Sequence, residues 1–183
     1  FEEVFYLARH RRQIEPHAEL FAPSFDVLTR LHDKGSMVRF AQKLGLKVAP
    51  TLLATSREEL AHACEEFPRF FARPAYTRGG VSLYTNTGPL AGAVHLAECA
   101  PTPQNPWLVQ PFLDGRDICS HSIVHHGHVT AHVTYVHPLT LEHAGGIVFE
   151  SVVVPETLRV ARLVAEATGY HGQLSFDFME TED

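Results

Sequence analysis

Cysteine is scarce in this sequence: Cys64, Cys99 and Cys119 are odd in number and far apart. That pattern excludes a disulfide-stapled scaffold and fits a reducing compartment, with the cytoplasm as the expectation. Long apolar runs are missing as well. No stretch approaches the ~20 residues that a membrane-spanning helix needs, so no membrane partner is expected. The first residues carry neither a Met nor a basic segment followed by an apolar one, so no signal peptide is read. They already look helical, which makes the sequence read as a piece of a longer protein. Basic charge is also in deficit. With 15 Lys and Arg against 21 Asp and Glu the net charge is -6, whereas a nucleic-acid backbone demands a basic face, so no nucleic acid is expected as a partner. Neither internal repeats nor low-complexity segments occur.

What is present is ordinary globular composition. At 45% hydrophobic and 20% charged over 183 residues, the chain suffices for one sizeable domain or two small lobes. Most of its lysines and arginines precede residue 79, and the remainder is strongly acidic. Helices are predicted over 1–14 and over 25–32, the latter capped by Ser24. A third runs from the Asp33 cap to Leu44, with Gly45 at C′. Ser56 and Glu59 form a capping box that opens a helix to about Glu66. Further helices are expected around 89–98 and over 156–168, the last ending at Gly169. Strands are expected at 47–54, 69–75, 81–85, 107–113, 117–124, 147–154 and 172–179. The alternation of Val129, Ala131, Val133 and Tyr135 with polar residues marks a hairpin strand turned at His126-Gly127. Hairpins outnumber parallel crossovers, so the class is α+β.

Four segments carry chemistry. In FARPAYTRGGVSL (71–83), Arg73 closes a strand, and Gly79 and Gly80 give a turn whose backbone N–H groups can approach phosphate oxygens. A tight hairpin with solvated arginines fits the same residues. Lys34 follows the Asp33 cap, where a cation could meet phosphate at a helix N-terminus, although such a lysine is also an ordinary surface residue. WLVQPFLDGRDIC (107–119) offers an apolar wall for a ring and a carboxylate for hydroxyls, or simply a strand, a turn and a surface Asp. Asp177, between two aromatics in LSFDFM, reads as a buried carboxylate that invites a ligand, or as an Asp that is salt-bridged or edge-exposed.

Together and in this order, HDKGSMVRFAQKLGLKVAPT, RFFARPAYTRGG, WLVQPFLDGRDIC and GYHGQLSFDFMETED resemble the ATP-grasp superfamily. The Arg-Pro-x-x-x-x-Gly-Gly form is most similar to the large chain of carbamoyl-phosphate synthase and its relatives. The resemblance implies a two-lobed α+β fold binding ATP and Mg²⁺ between the lobes. Residues 1–32 would be the tail of a preceding domain, 33–110 the first lobe, and 111–183 the second, unfinished before its final metal ligands. It also implies roles. Lys34 and Arg73 would hold ATP phosphates under Gly79 and Gly80, Gln110 would meet the adenine amino group, and the Leu113 backbone would bond the ring. Asp117 would take the ribose and Asp177 magnesium. Arg73, Gln110 and Asp117 stand where the superfamily more often has Lys, Glu and Glu. The intact protein would be a ligase acting on ATP and a small carboxylate-type substrate, with a nucleotide-binding module without turnover as the alternative. This segment alone is expected to be inactive.

Six of the 13 histidines fall between 121 and 137. Strand parity puts His128 and His132 on the wet face of the hairpin, so solvated histidines are expected there rather than a metal site. Cys119 lies beside Ser120 and His121, but strand neighbours point to opposite faces, so no nucleophile pair is expected.

Overall fold

The computed structural model describes residues 2–77, 82–140 and 146–182. The chain forms two compact units, one of residues His32–Asp114 and one joining Phe1–Leu31 to Gly115–Asp183. Residues 1–31 thus group with the C-terminal stretch. Among the described residues, every strand pairing is antiparallel. No described helix is long and apolar enough to cross a membrane.

In the His32–Asp114 unit, helix α4 (Lys34–Lys43) starts on Asp33, whose side chain accepts the Ser36 N–H; Gly45 follows its end at φ 69°. (Earlier come α1, Glu3–Arg9, α2, Arg11–Ile14, and α3, Phe25–His32.) Strand β1 (Leu52–Ala54) precedes α5 (Arg57–Glu65), whose Ser56 cap accepts the Glu59 N–H at 3.1 Å. Then come β2 (Phe70–Pro74), β3 (Tyr84–Thr85) and β4 (Trp107–Pro111), giving the sheet order β1-β4-β2-β3. Its core gathers Leu60 and Cys64 of α5 with Phe70, Ala72, Trp107 and Val109 of the sheet. The helix expected at 89–98 is absent. Gly88 and Gly92 take φ 77° and 81°, which interrupts the run, and only a short 3₁₀ turn at Leu96–Glu98 remains.

The other unit is built on the sheet β7-β6-β5-β8. Its members are β5 (Arg116–His125), β6 (His128–Val136), β7 (Glu150–Ser151) and β8 (Gly172–Glu180), with α6 (Pro155–Thr168) packed on β5 and β6. The β5–β6 turn is the expected one, with both His126 (φ 46°) and Gly127 (85°) left-handed, as a two-residue hairpin needs. Ile118, Val124 and Leu174 of the sheet and Ala161, Val164 and Ala165 of α6 are all buried.

The expected parity of β6 is reversed. Val133 is 40% exposed while Thr134 is buried, and His132 points inward. The side packed against α6 carries a polar seam. His132 Nδ1 meets Ser122 Oγ at 2.8 Å, its Nε2 meets Thr157 Oγ1 at 3.0 Å, and Thr157 donates to the Val154 carbonyl at 2.9 Å. One proton assignment satisfies all of these: Ser122 donates to a neutral imidazole, which donates on to Thr157. Burial, with Arg162 nearby, pushes the His132 pKa down and keeps that form. Hydroxyls thus occupy positions where pattern reading looks for aliphatics. Ser120 Oγ, beside the seam, is buried with no hydrogen-bond partner among the described residues. Ser120→Ala is therefore expected to leave stability unchanged or raise it by up to about 1 kcal/mol, whereas Thr157→Ala should cost about 1–3 kcal/mol by stranding its partners. Urea melts of both variants check the contrast.

Candidate functional site

The phosphate candidates converge in the His32–Asp114 unit. Because β2 alternates, Phe70, Ala72 and Pro74 turn inward and Arg73 emerges on the other face, its guanidinium 5.2 Å from the Phe71 ring centroid. Lys34, in the first turn of α4, donates through Nζ to the carbonyls of Ala75 (3.3 Å) and Thr77, just beyond β2. Burial lowers the Lys34 pKa to about 8, helped by the Arg73 charge and opposed by Asp33. Two cations are thus held close enough to sense each other. Gly79 and Gly80, together with Arg78, lie outside the described residues.

Asp33 does more than cap α4. Burial alone would raise its pKa, but bonds from the Ser36 N–H and the Tyr76 hydroxyl (3.0 Å) outweigh this and hold it below the usual carboxylate value. Tyr76 is itself tied through its N–H to Asn105 Oδ1 at 3.1 Å. This chain of bonds fixes the start of α4 against the exit of β2, and so positions Lys34.

Gln110 sits at the end of β4. Thr51 Oγ1 donates to the Ala49 carbonyl at 2.8 Å, so it can only accept from Gln110 Nε2, also at 2.8 Å. That orients the amide so that its oxygen is the group left to accept from a ligand. The segment that follows is clamped. Arg69 grips both Asp114 oxygens, stacks over Phe112 at 5.0 Å, and its carbonyl accepts the Phe112 N–H at 2.9 Å. Leu113, between these anchors, is 37% exposed.

In the other unit, Asp117 and Asp177 share the face of the sheet opposite α6. Asp177 pairs with Cys119, and Cys119 pairs with Tyr135 on its other side. Asp177 is exposed, not buried, because β8 is an edge strand and Phe176 and Phe178 turn to the other face. Of the two readings of Asp177, the edge-exposed one therefore holds and the buried carboxylate is set aside. Cys119 and His121, two residues apart, do share a face. Burial and the Asp177 carboxylate push the Cys119 thiol up to about 11, and His121 is engaged with Ser175 Oγ at 2.9 Å, so no activated nucleophile results.

No protein-family model matches the sequence, and no curated protein sequence matches it. Solved structures do. The biotin carboxylase domain of Hydrogenobacter thermophilus 2-oxoglutarate carboxylase, in complex with MgADP, ADP and bicarbonate, matches with a TM-score of 0.74 and 14% identity, over 100% of this chain and 44% of its own. The ADP complex of N5-carboxyaminoimidazole ribonucleotide synthetase matches at 0.69 and 16%, over 96% and 48%. The ATP-grasp ligase PsnB, complexed with minimal precursor, Mg and ADP, matches at 0.60 and 15%, over 97% and 55%. The chain has the ATP-grasp fold.

It spans about half the length of those ATP-grasp chains, and at such identities the likeness is one of architecture. On this ATP-grasp framework Lys34, Arg73, Gln110 and Leu113 belong to one unit, and Asp117 and Asp177 to the other. Sequence reading missed Tyr76, although an aromatic immediately after the Arg-Pro-Ala exit was there to be noticed. It also passed over His171, which no local pattern connects to the hairpin histidines.

Proposed function

We propose that this chain is the nucleotide-binding part of an ATP-dependent ligase. The intact enzyme activates a carboxylate or bicarbonate as an acyl phosphate for attack by an amine-type nucleophile. The observation that carries this reading is the Lys34–Arg73 pair on an ATP-grasp framework: two cations close enough that Arg73 adds to burial in depressing the Lys34 pKa, a cost that an arriving anion offsets. Bound ADP in neighbours of this fold, and bicarbonate in one of them, support it.

In this reading Lys34 and Arg73 grip the phosphates, with Gly79 and Gly80 closing over them. The oriented Gln110 oxygen accepts from the adenine amino group, the Leu113 backbone bonds the ring, and Asp117 takes the ribose hydroxyls. Magnesium is commonly held by one or two carboxylates plus substrate phosphates. Exposed Asp177, with the Cys119 thiol and the Tyr135 phenol near it, fits that role. Bound there, Mg²⁺ would neutralise charge on the phosphate oxygens. A substrate carboxylate oxygen then bonds to the γ-phosphorus as ADP leaves, and the nucleophile's attack on the acyl carbon releases phosphate. The residues named here contribute charge neutralisation and alignment. The Arg-Pro-x-x-x-x-Gly-Gly form favours a carbamoyl-phosphate synthase-like enzyme, and the scarcity of cysteine a cytoplasmic one.

The test is calorimetric. With its pKa at about 8, Lys34 is half deprotonated at pH 8, and bound phosphates raise that pKa. Binding of MgATP at pH 8 should therefore take up as much as about half a proton, and the uptake should vanish near pH 6, where the lysine is already charged. Titrations in two buffers of different ionisation enthalpy read this directly. Saturable binding with no proton uptake at pH 8 would remove Lys34 from the phosphates, and absence of binding would remove the reading itself.

A further inference from the structure

Away from the nucleotide residues, three imidazoles converge at one end of the sheet β7-β6-β5-β8. His125 closes β5, His126 begins the turn, and His171 lies just before β8. Their metal-binding nitrogens all lie within 4.8 Å of one another. The ring centroids of His126 and His171 are 4.2 Å apart, and His125 is 5.0 Å from His171. The backbone beneath them is fixed. Gly127 N–H donates to the Tyr170 carbonyl at 2.7 Å, and residues 21–23 pack on Gly172, where a Cβ would come within 3.2 Å of Ala22. The Phe21 ring meets His171 edge-on at 4.8 Å. Beside the cluster lies a cavity of about 340 Å³, lined by Arg11, Glu15, Glu19, Leu20, His126 and His171.

We propose that His125, His126 and His171 form a binding site for a divalent transition metal, Zn²⁺ foremost, with Glu19 supplying negative charge at the rim of the cavity. Imidazole donors suit Zn²⁺, and three of them with an open fourth position make a complete tetrahedral set. His171 Nδ1 accepts the His126 backbone N–H at 3.4 Å, a long contact that holds the ring beside the cluster. Arg11 is the one opposing charge among the cavity's lining residues, and Glu15 neutralises it at 2.6 Å. Zn–N bonds of about 2.0–2.1 Å require the nitrogens to close to roughly 3.4 Å. His125 and His126 are exposed and their rings can rotate, the His126 ring leaving its 19° stack on His171.

The experiment titrates the untagged chain, free of nucleotide, with Co²⁺ and then Zn²⁺ at pH 7.5. It follows Co²⁺ visible absorption and heat. The expected result is one equivalent bound with an intense tetrahedral Co²⁺ spectrum that Zn²⁺ displaces. His125→Gln and His126→Asn, both at exposed positions, should each weaken binding by at least about tenfold, the smallest loss seen when even a supporting group of a metal ligand is removed. His128→Gln, at the neighbouring exposed histidine, should leave it unchanged. Binding that survives the His125→Gln, His126→Asn double variant, or that falls equally with His128→Gln, overturns the proposal. So does the absence of stoichiometric binding. None of these outcomes depends on ATP.

Discussion

If the proposed nucleotide site is right, Arg73→Ala should abolish most of the stabilisation expected from MgATP while leaving the ligand-free protein nearly as stable as before. Nucleotide at ~100 times its dissociation constant adds about 2.7 kcal/mol. For a chain of this size that corresponds to roughly 5–11 °C in melting temperature. The guanidinium stands on a strand hydrogen-bonded on both sides, by β3 and β4, so its backbone is already placed when the ligand arrives. Losing a charge-assisted hydrogen bond of about 1.5–3 kcal/mol weakens binding by about 10–100-fold. At the same ATP concentration this leaves only about 0.4–1.4 kcal/mol of the shift. Structural damage is expected to be smaller than the loss of binding because the side chain lies on the face of β2 opposite the core, against the Phe71 ring. A second readout separates phosphate binding from a general loosening. Arg73 is one of the charges that depress Lys34, so its removal should raise the lysine pKa and reduce proton uptake at pH 8. A variant that keeps the full thermal shift would take Arg73 out of the phosphate site.

How far the sequence spoke depended on how local the cause was. The Asp33 and Ser56 caps, the Gly45 and Gly169 helix ends and the His126-Gly127 turn are decided within a few residues, and each was readable. The strand end at Arg73 was legible for the same reason, since Pro74 and the glycines beyond it mark an exit locally. The exposure of Asp177 was only one of two open readings, because it depends on β8 lying at a sheet edge, and sheet order is a long-range property. His132 misled because pattern reading assigns the aliphatic side inward, while here the inward side is a hydrogen-bonded seam of Ser122, Thr134 and Thr157. The apposition of His171 with His125 and His126 joins positions about 45 residues apart and leaves no trace in spacing. The two-unit division follows similarly from contacts rather than from a composition shift.

The alternation that places Arg73 outward turns Ala72 towards Leu60 of α5, and Leu60→Ala is expected to be strongly destabilising for the His32–Asp114 unit. Leu60 is fully buried on α5, in the cluster with Ala72, Val109 and Trp107. Ala72 is the residue before Arg73, and Val109 the residue before Gln110, so the side chains proposed to meet the nucleotide stand on the strands that this leucine supports. Truncation to Ala removes the packing and leaves a cavity, which costs about 2–5 kcal/mol. Trp107 is the only tryptophan and belongs to the same cluster, so its fluorescence should report the loss as an unfolding transition at lower urea. Cavities of this kind leave strand register intact, so MgATP should still raise the melting temperature of Leu60→Ala by nearly the wild-type amount. The two variants then act on different terms: one lowers the baseline and keeps the ligand shift, the other keeps the baseline and loses the shift. If Leu60→Ala cost less than about 1 kcal/mol, α5 would not be the support of this sheet, and the inward face of β2, with the outward place of Arg73, would have to be reassigned.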